Sequence, residues 1–142
     1  MKLSTKSRYG LRLLFRLAIA NKEIVPLSEI AEKENISEKY LEHIINRLKV
    51  VGIVQAQRGI KGGYILTRHP SEIRLLEVIE SLEGPLTLVD CVGSKSCGRI
   101  PMCPTQWVWD RLSNVLRQEL ASLTLDDMIR HYTQNIAHTY EI

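Results

Sequence analysis

Three cysteines stand at equal spacing in the segment CVGSKSCGRIPMC, and they are Cys91, Cys97 and Cys103. An odd number of thiols cannot pair completely within one chain. The segment is polar and contains glycine, whereas structural cysteines usually lie in apolar runs. Thiolates that recur along such a loop can surround one inorganic centre, and Cys103 followed by proline repeats a pairing found in ferredoxin ligand runs. The pattern therefore predicts a metal or cluster site with these three cysteines as ligands.

A fourth ligand is not evident from spacing, although four-coordinate zinc and iron–sulfur clusters both need one. Asp90 is adjacent, and Gln106 would offer only a neutral oxygen. His131 and His138 are available if the C-terminal segment folds back. A partner subunit is another source of the donor, so several candidates stay open.

Two short helices are predicted in the segment PLSEIAEKENISEKYLEHIINRLKVVG. Hydrophobic spacing favours helices over 27–34 and 38–50, with a turn at Asn35, an N-cap at Ser37 and a stop at Gly52. This arrangement is a helix-turn-helix, with a plain helical hairpin as the alternative. The second helix, about 20 Å long, fits the major groove of DNA. We predict that its polar face contacts DNA, through Lys39, Tyr40, Glu42, His43, Arg47 and Lys49.

A β-hairpin is predicted directly after the second helix. Residues 53–57 begin with β-branched side chains, a glycine-rich turn RGIKGG follows, and residues 64–66 return as the second strand. A hairpin in this place makes the unit a winged helix-turn-helix. We assign Arg58 to the minor groove or a phosphate, Lys61 to a phosphate, and Gly62 to close approach of the backbone. A solvated basic turn is the alternative.

The remaining segments predict helices around this unit. The opening segment predicts an amphipathic helix capped by Ser4 or Thr5, with a basic stripe of arginines at positions 8, 12 and 16. Pro70 introduces another helix that ends near Gly84. Residues 86–105 lose periodicity and predict a loop.

A long amphipathic helix over 106–122 follows the loop, and such helices usually pair with a copy of themselves. Thr124 and Asp127 predict the start of a last short helix. The expected fold is thus mainly α with a small β-hairpin, a winged helix-turn-helix domain plus a long dimerisation helix. We predict a DNA-binding domain at 1–84, a cysteine-bearing loop at 85–105, the dimerisation and terminal helices at 106–134, and a flexible tail at 135–142.

Charge is divided unevenly along the chain. Residues 1–70 hold 13 Lys and Arg against 6 Asp and Glu, whereas residues 71–142 hold 6 against 10, so the halves carry net charges of +7 and −4. A basic first half favours a polyanion such as DNA, because neutralising phosphates releases counterions. An ordinary solvated surface is the alternative.

Two further classes of protein have no support in the sequence. No apolar run approaches the roughly 20 residues of a membrane helix, and no signal segment opens the chain, so we expect a cytoplasmic protein that does not contact membranes. The sequence also lacks a phosphate-binding glycine loop, a His-Glu-x-x-His run and a nucleophile paired with a base. We therefore expect no enzymatic activity and no small-molecule substrate.

Several stretches together resemble the Rrf-type bacterial transcription regulators, the group that includes IscR, NsrR and CymR. They are MKLSTKSRYGLR, ISEKYLEHIINRLKVVGIV, RGIKGGYIL, LEGP and the three cysteines. The resemblance implies a homodimer whose long helices cross. It also implies a cysteine loop that carries an iron–sulfur cluster sensing iron, oxidants or nitric oxide. The positions of Lys39, Glu42, His43 and Arg58 face DNA in that family.

Two positions depart from the family patterns. IscR-like members hold a 2Fe–2S cluster with a histidine three residues after the last cysteine, where this chain has Gln106. NsrR-like members use an acidic residue from the first helix of the other subunit to hold a 4Fe–4S cluster, and the matching position here is Arg8. The resemblance therefore implies an iron–sulfur cofactor, with the 2Fe–2S form favoured and the 4Fe–4S form as the alternative.

We predict a homodimeric transcription regulator, acting as a repressor on double-stranded operator DNA. Its DNA affinity or site choice would depend on the cluster held by the three cysteines. The alternative is a DNA-binding regulator with zinc or free redox-sensing thiols, or one controlled by a protein partner.

Overall fold

A computed structural model describes residues 2–93 and 97–140 of this chain. Met1, residues 94–96 of the predicted cysteine loop and residues 141–142 of the predicted tail lie outside the described residues. The helices are α1 (Thr5–Ile19), α2 (Leu27–Glu34), α3 (Glu38–Val50), α4 (Leu75–Glu83), α5 (Gln106–Ser122) and α6 (Leu125–Tyr140), and the strands are β1 (Val54–Gln57) and β2 (Gly63–Leu66). The predicted fold class, mainly α with a small hairpin, is confirmed. No helix within the described ranges is both long and apolar enough to cross a membrane.

The helix-turn-helix of α2 and α3 has the bounds that the sequence predicts. Ser37 caps α3, because its Oγ accepts a hydrogen bond from the N–H of Tyr40 at 3.2 Å. Asn35 ends α2 in the left-handed conformation, with φ of 53°, which asparagine tolerates better than most residues. One face of α3 is fully buried and fixes the helix in the core. That face consists of Leu41, Ile44, Ile45 and Leu48.

The hairpin behind α3 is antiparallel, with Val54 opposite Leu66. It is also joined to the segment before α2, since Val25 and Tyr64 exchange two backbone hydrogen bonds of 3.0 and 2.9 Å. Gly63 permits this approach, because a Cβ at that position would lie 2.4 Å from the carbonyl oxygen of Val25. The wing therefore has a fixed base beside the helix-turn-helix.

One hydrophobic core joins α1, the helix-turn-helix, the wing base and α4. Helices α1 and α4 cross closely at Gly10, where an added Cβ would meet Cδ1 of Leu82 at 2.4 Å. Leu125, the first residue of α6, is fully buried in the same core. The core thus extends beyond the predicted DNA-binding domain.

Two 3-10 turns were not among the sequence predictions. The helix expected after Pro70 is present as α4 and ends before Gly84 as predicted, but it begins only at Leu75, and a separate 3-10 turn (Pro70–Glu72) with His69 in its capping box precedes it. The predicted loop contains a second short 3-10 turn (Ile100–Met102).

The last helix is longer than predicted, since α6 covers 16 residues and continues through most of the segment expected to be a flexible tail. Thr124 and Asp127 cap it as predicted, with the Thr124 N–H donating to Asp127 Oδ2 at 2.8 Å and the Asp127 N–H donating to Thr124 Oγ1 at 3.1 Å. The ring of Tyr132 also packs edge-on against Phe15 of α1, with centroids 4.8 Å apart. The ring contact packs the helix against α1, and the helical spacing of Met128, Ile129, Tyr132 and Ile136 was the available sequence signal for its length.

Glu34 joins the end of α2 to α1. Its carboxylate accepts hydrogen bonds from Nε of Arg12 at 2.6 Å and from Nε of Arg16. Burial of this carboxyl opposes its ionisation, but the two arginines outweigh that effect and hold the pKa of Glu34 below its ordinary value. Two of the three arginines in the predicted basic stripe are therefore paired within the chain, and the carboxylate offsets one of their two charges.

We expect Glu34→Gln to lower the free energy of unfolding by about 1 to 2 kcal/mol at neutral pH. Because the folded pKa is lowered, the carboxylate stabilises the fold fully above its unfolded pKa, and this contribution is lost as pH falls through the folded pKa. Urea unfolding at pH 7 measures the loss of stability, and the same measurement at about pH 3.5 gives its dependence on pH. The difference between wild type and variant should shrink in acid, and an equal difference at both pH values would contradict the assignment.

Candidate nucleic-acid interface and cysteine loop

The face of α3 that points away from the core carries most of the predicted DNA-contacting side chains. They are exposed and belong to one helix face and its flanks. At 1.5 Å per residue the 13 residues of α3 extend about 20 Å, which matches a major-groove insertion. The exposed members of the predicted set are Lys39, Glu42, His43, Arg47 and Lys49.

Tyr40 differs from the rest of the predicted set because it is half-buried between α3 and α1. Its hydroxyl lies 2.8 Å from Oγ1 of Thr5, and its ring meets the ring of Tyr9 edge-on at 5.8 Å. Sequence reasoning missed Thr5 and Tyr9 as supports of α3. Their spacing of four on α1 places them on one helix face, which was the available signal.

The wing presents its basic residues to solvent, with Arg58 and Lys61 both exposed. Gly62 has a structural reason to be glycine, since a Cβ there would lie 2.6 Å from the carbonyl oxygen of Gln57. A cleft of about 370 Å³ separates the wing from α3, and its lining includes Arg58, Glu38 and Glu42. The wing and α3 therefore form two walls of one surface.

The first helix contributes less free positive charge than its arginines suggest. Arg12 and Arg16 are paired with Glu34. The guanidinium carbons of Arg8 and Arg12 lie 6.0 and 5.6 Å from the centroid of the Tyr9 ring, within cation–π range. The exposed basic side chains of the predicted DNA-contacting set lie instead on α3 and the wing.

All three cysteines are half-buried free thiols. Cys103 Sγ lies 3.4 Å from Oγ1 of Thr105, just before α5 begins. Hydrogen bonds from Thr105 and the N–H of Gln106, aided by the charge of Arg99, lower the pKa of the Cys103 thiol. This end of the loop therefore favours a thiolate, the form that binds metals and reacts with oxidants.

Cysteine thiols are the type of ligand that a thiolate-bound cofactor needs, but the three are not gathered into one metal-binding group in the described residues. Within residues 2–93 and 97–140, no three His, Cys, Asp or Glu side chains are grouped so as to hold a metal ion. The three cysteines would have to converge for a cluster to bind. Gln106 is the first residue of α5 and is half-buried, whereas His131 lies on α6 with Nε2 3.1 Å from Nδ2 of Asn135.

The start of the loop is fixed to two helices. The N–H of Leu86 donates to Oε1 of Glu80 on α4 at 3.1 Å, and the N–H of Leu88 donates to Oγ of Ser113 on α5 at 3.0 Å. Arg117 of α5 also pairs with Glu80. A movement of this loop would therefore act on α4 and α5.

Helix α5 leaves much of its apolar stripe in solvent. On this stripe, Leu112 is 46% exposed and Val115 is 55% exposed, and the neighbouring Trp107 is 68% exposed. Leu116 and Leu120 are half-buried. Exposed apolar patches rimmed by polar residues often mark interfaces. No other element in the described part of this chain packs closely enough on that stripe to bury it.

Comparison with known proteins identifies the group to which this arrangement belongs. The profile of the Rrf2 family, described as "Iron-dependent Transcriptional regulator", matches residues 3–131. The chain belongs to the Rrf2 family. The resemblance drawn from the sequence is thereby confirmed.

Relatives of this Rrf2 protein include two differently named groups. It is 33% identical over 132 residues to the HTH-type transcriptional regulator IscR of Pectobacterium atrosepticum, covering 92% of this chain and 80% of that protein. It is 34% identical over 141 residues to the HTH-type transcriptional regulator CymR of Bacillus subtilis, covering 99% and 97%.

Solved structures agree with these sequence relationships. The structure of CymR (YrzC), the global cysteine regulator of B. subtilis, superposes with a TM-score of 0.77 at 32% identity, covering 92% of this chain and 98% of that one. The structure of T. potens IscR gives 0.75 at 35% identity, covering 93% and 88%. This Rrf2 protein is therefore a winged-helix transcriptional regulator, and its role is not enzymatic.

Proposed function

We propose that this Rrf2 protein is a homodimeric repressor that binds operator DNA through α3 and the wing, under the control of an iron–sulfur cluster at Cys91, Cys97 and Cys103. The observation that carries the DNA-binding part is the exposure of basic side chains on both α3 and the wing, two elements that wall one cleft. Such a protein acts where DNA is, in the cytoplasm.

Helix α3 and the wing contact different parts of the DNA in this proposal. Lys39 and His43, near the start of α3, suit guanine acceptors, and Glu42 suits a cytosine amino group. Arg47 and Lys49 lie further along α3 and suit phosphates. The exposed tip of the wing brings Arg58 and Lys61 to the backbone or the minor groove.

We expect Arg58→Ala to raise the Kd for operator DNA about 10-fold near physiological salt, and to reduce the salt slope of binding by about one per subunit. Arg58 is exposed, so the fold should not change. Fluorescence anisotropy over a salt series measures both. Lys22→Ala, which removes an exposed positive charge from the loop between α1 and α2, is the matched control. Equal affinities for Arg58→Ala and the control would exclude the wing from DNA binding.

The proposed cluster site is supported by the chemistry of its three ligands, which are free thiols. Three half-buried thiols without disulfide partners, one of them with a lowered pKa, match the thiolate ligation of iron–sulfur clusters. The family description "Iron-dependent" and the IscR relatives point to the same chemistry. When bound, a cluster supplies a centre that responds to iron supply and oxidation. The protein's part is to bring its thiolates together and to pass the change to α4 and α5 through Glu80 and Ser113.

Anaerobic purification followed by absorption spectroscopy and by iron and sulfide assays tests the cofactor. About two irons and two sulfides per chain would support the 2Fe–2S form, and about four of each the 4Fe–4S form. A colourless protein without iron, even after reconstitution with ferrous iron and sulfide, would overturn the cluster.

A thiol sensor without a cluster is the second candidate. It is favoured by the absence of a metal-holding group within the described ranges, by the lowered pKa of Cys103 and by the likeness to CymR. In that case, DNA binding would change reversibly with peroxide and dithiothreitol in iron-free protein. An unchanged affinity under both reagents would exclude this candidate.

A further inference from the structure

The first turn of α1 contacts two elements that the proposed function needs to connect. On one side it meets the end of α4, immediately before the chain enters the cysteine loop. On the other side it meets the first turn of the recognition helix α3. The contacts on both sides are hydrogen bonds between named side chains, in addition to packing.

On the α4 side, a single oxygen of Glu83 accepts three hydrogen bonds from α1. The donors are the N–H of Ser4 at 2.9 Å, Oγ of Ser4 at 2.6 Å and Oγ of Ser7 at 2.7 Å. Ser7 is 1% exposed. Ser4 is also the N-cap of α1, since its Oγ accepts from the N–H of Lys6 at 3.1 Å. These bonds, here called the Glu83 clamp, fix both the position of α1 and the geometry of its first turn.

On the cysteine side, α4 is attached to the loop that follows it. Glu80, one turn before Glu83, holds the N–H of Leu86 and pairs with Arg117 of α5. Ser113, which is 1% exposed, holds the N–H of Leu88. Cys91 follows three residues later. A convergence of the cysteines that shifts Leu86 or Leu88 therefore acts on the same end of α4 that carries Glu83.

On the DNA side, the same turn of α1 supports α3. Thr5, between the two serines of the clamp, lies 2.8 Å from the hydroxyl of Tyr40. Tyr9, one turn further, packs edge-on against the Tyr40 ring. Tyr40 belongs to the first turn of α3, beside Lys39, Glu42 and His43. A displacement of Thr5 would therefore change where these side chains meet DNA.

We propose that the first turn of α1 is the joint between the cysteine loop and the recognition helix, and that Glu83 is the positioning residue that holds this joint. The inference rests on the proposed control of DNA binding by the cysteine loop. It names the residues through which a change at the cysteine loop would reach α3. Neither the DNA-contacting residues nor the cysteines specify those residues.

The test compares DNA affinity with and without the cluster. The probe is a duplex of about 30 base pairs, three helical turns, selected from random-sequence DNA by the wild-type protein. In the wild type, reconstituted and cluster-free protein should differ in Kd by at least about 5-fold, the lower end of typical coupling. In Glu83→Ala this ratio should fall below about 2-fold, while iron and sulfide contents stay those of wild type.

Two matched variants separate positioning from general stability. Glu83→Gln keeps an oxygen that can accept the three hydrogen bonds, so it should retain most of the wild-type ratio. Glu34→Gln weakens the other carboxylate contact of α1, to α2, and should lower stability while leaving the ratio intact. Equal loss of the ratio in Glu34→Gln and Glu83→Ala would reduce the clamp to a structural contact and overturn the inference.

Hydrogen exchange in cluster-free protein tests the joint without any cofactor. The amides of Tyr40 and Leu41 both bond to Ser37, at 3.2 and 3.1 Å. Glu83→Ala should speed their exchange at least about 5-fold, since local opening becomes easier, and Glu34→Gln should not. Thr5→Val, which removes only the hydroxyl, should reproduce both effects and serves if Glu83→Ala does not fold.

The outcomes are distinguishable. A wild-type ratio near one would overturn control by the cysteine loop, and the joint with it. A large wild-type ratio that persists in both Glu83→Ala and Thr5→Val, with unchanged exchange in α3, would overturn the joint alone.

Discussion

The double substitution Leu112→Glu and Val115→Glu is expected to convert the protein to a monomer and to weaken operator binding by at least about 100-fold. Both side chains lie on the exposed stripe of α5, at 46% and 55% exposure, so charges there remain solvated in the monomer and the fold survives. In a dimer the same positions would be buried, and buried unpaired charges are costly. Winged-helix dimers also gain affinity by binding two half-sites at once, and a monomer loses the linked second event.

Sedimentation velocity and fluorescence anisotropy measure the two effects of this substitution. Ala121→Glu, an exposed position on the other side of α5, adds charge to the same helix and should leave both the dimer and the DNA affinity unchanged. Far-UV circular dichroism of the double variant should match wild type. A double variant that still sediments as a dimer would show that α5 is not the dimer contact.

The second large effect is expected from Cys97→Ala, which should lower bound iron and sulfide to near zero without unfolding the protein. Removing one of three thiolates leaves too few ligands for a cluster, whereas Cys97 is half-buried and lies outside the hydrophobic core. Met102→Ala is the control, because Met102 lies in the same loop and its side chain is 90% exposed.

Iron and sulfide assays on anaerobically purified protein provide the measurement for Cys97→Ala, with thermal unfolding as the check on folding. Met102→Ala should retain the wild-type contents of both. Full iron and sulfide in Cys97→Ala would contradict the assigned ligand set while leaving the DNA-binding surface intact.

The helix-turn-helix could be predicted closely because its boundaries are set by local chemistry. Ser37 caps α3 through its own side chain, and Gly52 adopts a φ of 75° just after the helix ends. The burial of Leu41 and Ile44 follows from helical spacing alone. Each of these signals lies within a few residues of the feature that it specifies.

Features that depend on distant partners could not be predicted in the same way. Glu34 and its arginines are separated by 18 and 22 residues, and Thr5 and Tyr40 by 35. The contact of Tyr132 on α6 with Phe15 on α1 likewise joins residues far apart in the sequence. A ligand set that needs a second subunit or a loop rearrangement has no signature in spacing at all.

The burial of Leu125 limits how freely this regulator can be recombined with others. Although Leu125 begins the last helix, its N–H donates to the carbonyl of Ile73 at 3.0 Å, and the N–H of Leu75 donates to the carbonyl of Leu123 at 2.9 Å. Residues that follow α5 thus complete the core of the winged-helix unit. A chimera that takes only residues 1–84 would lack Leu125 in its core and would lose these two backbone hydrogen bonds. An exchange of DNA specificity between regulators must therefore transplant residues 123–128 together with the winged helix.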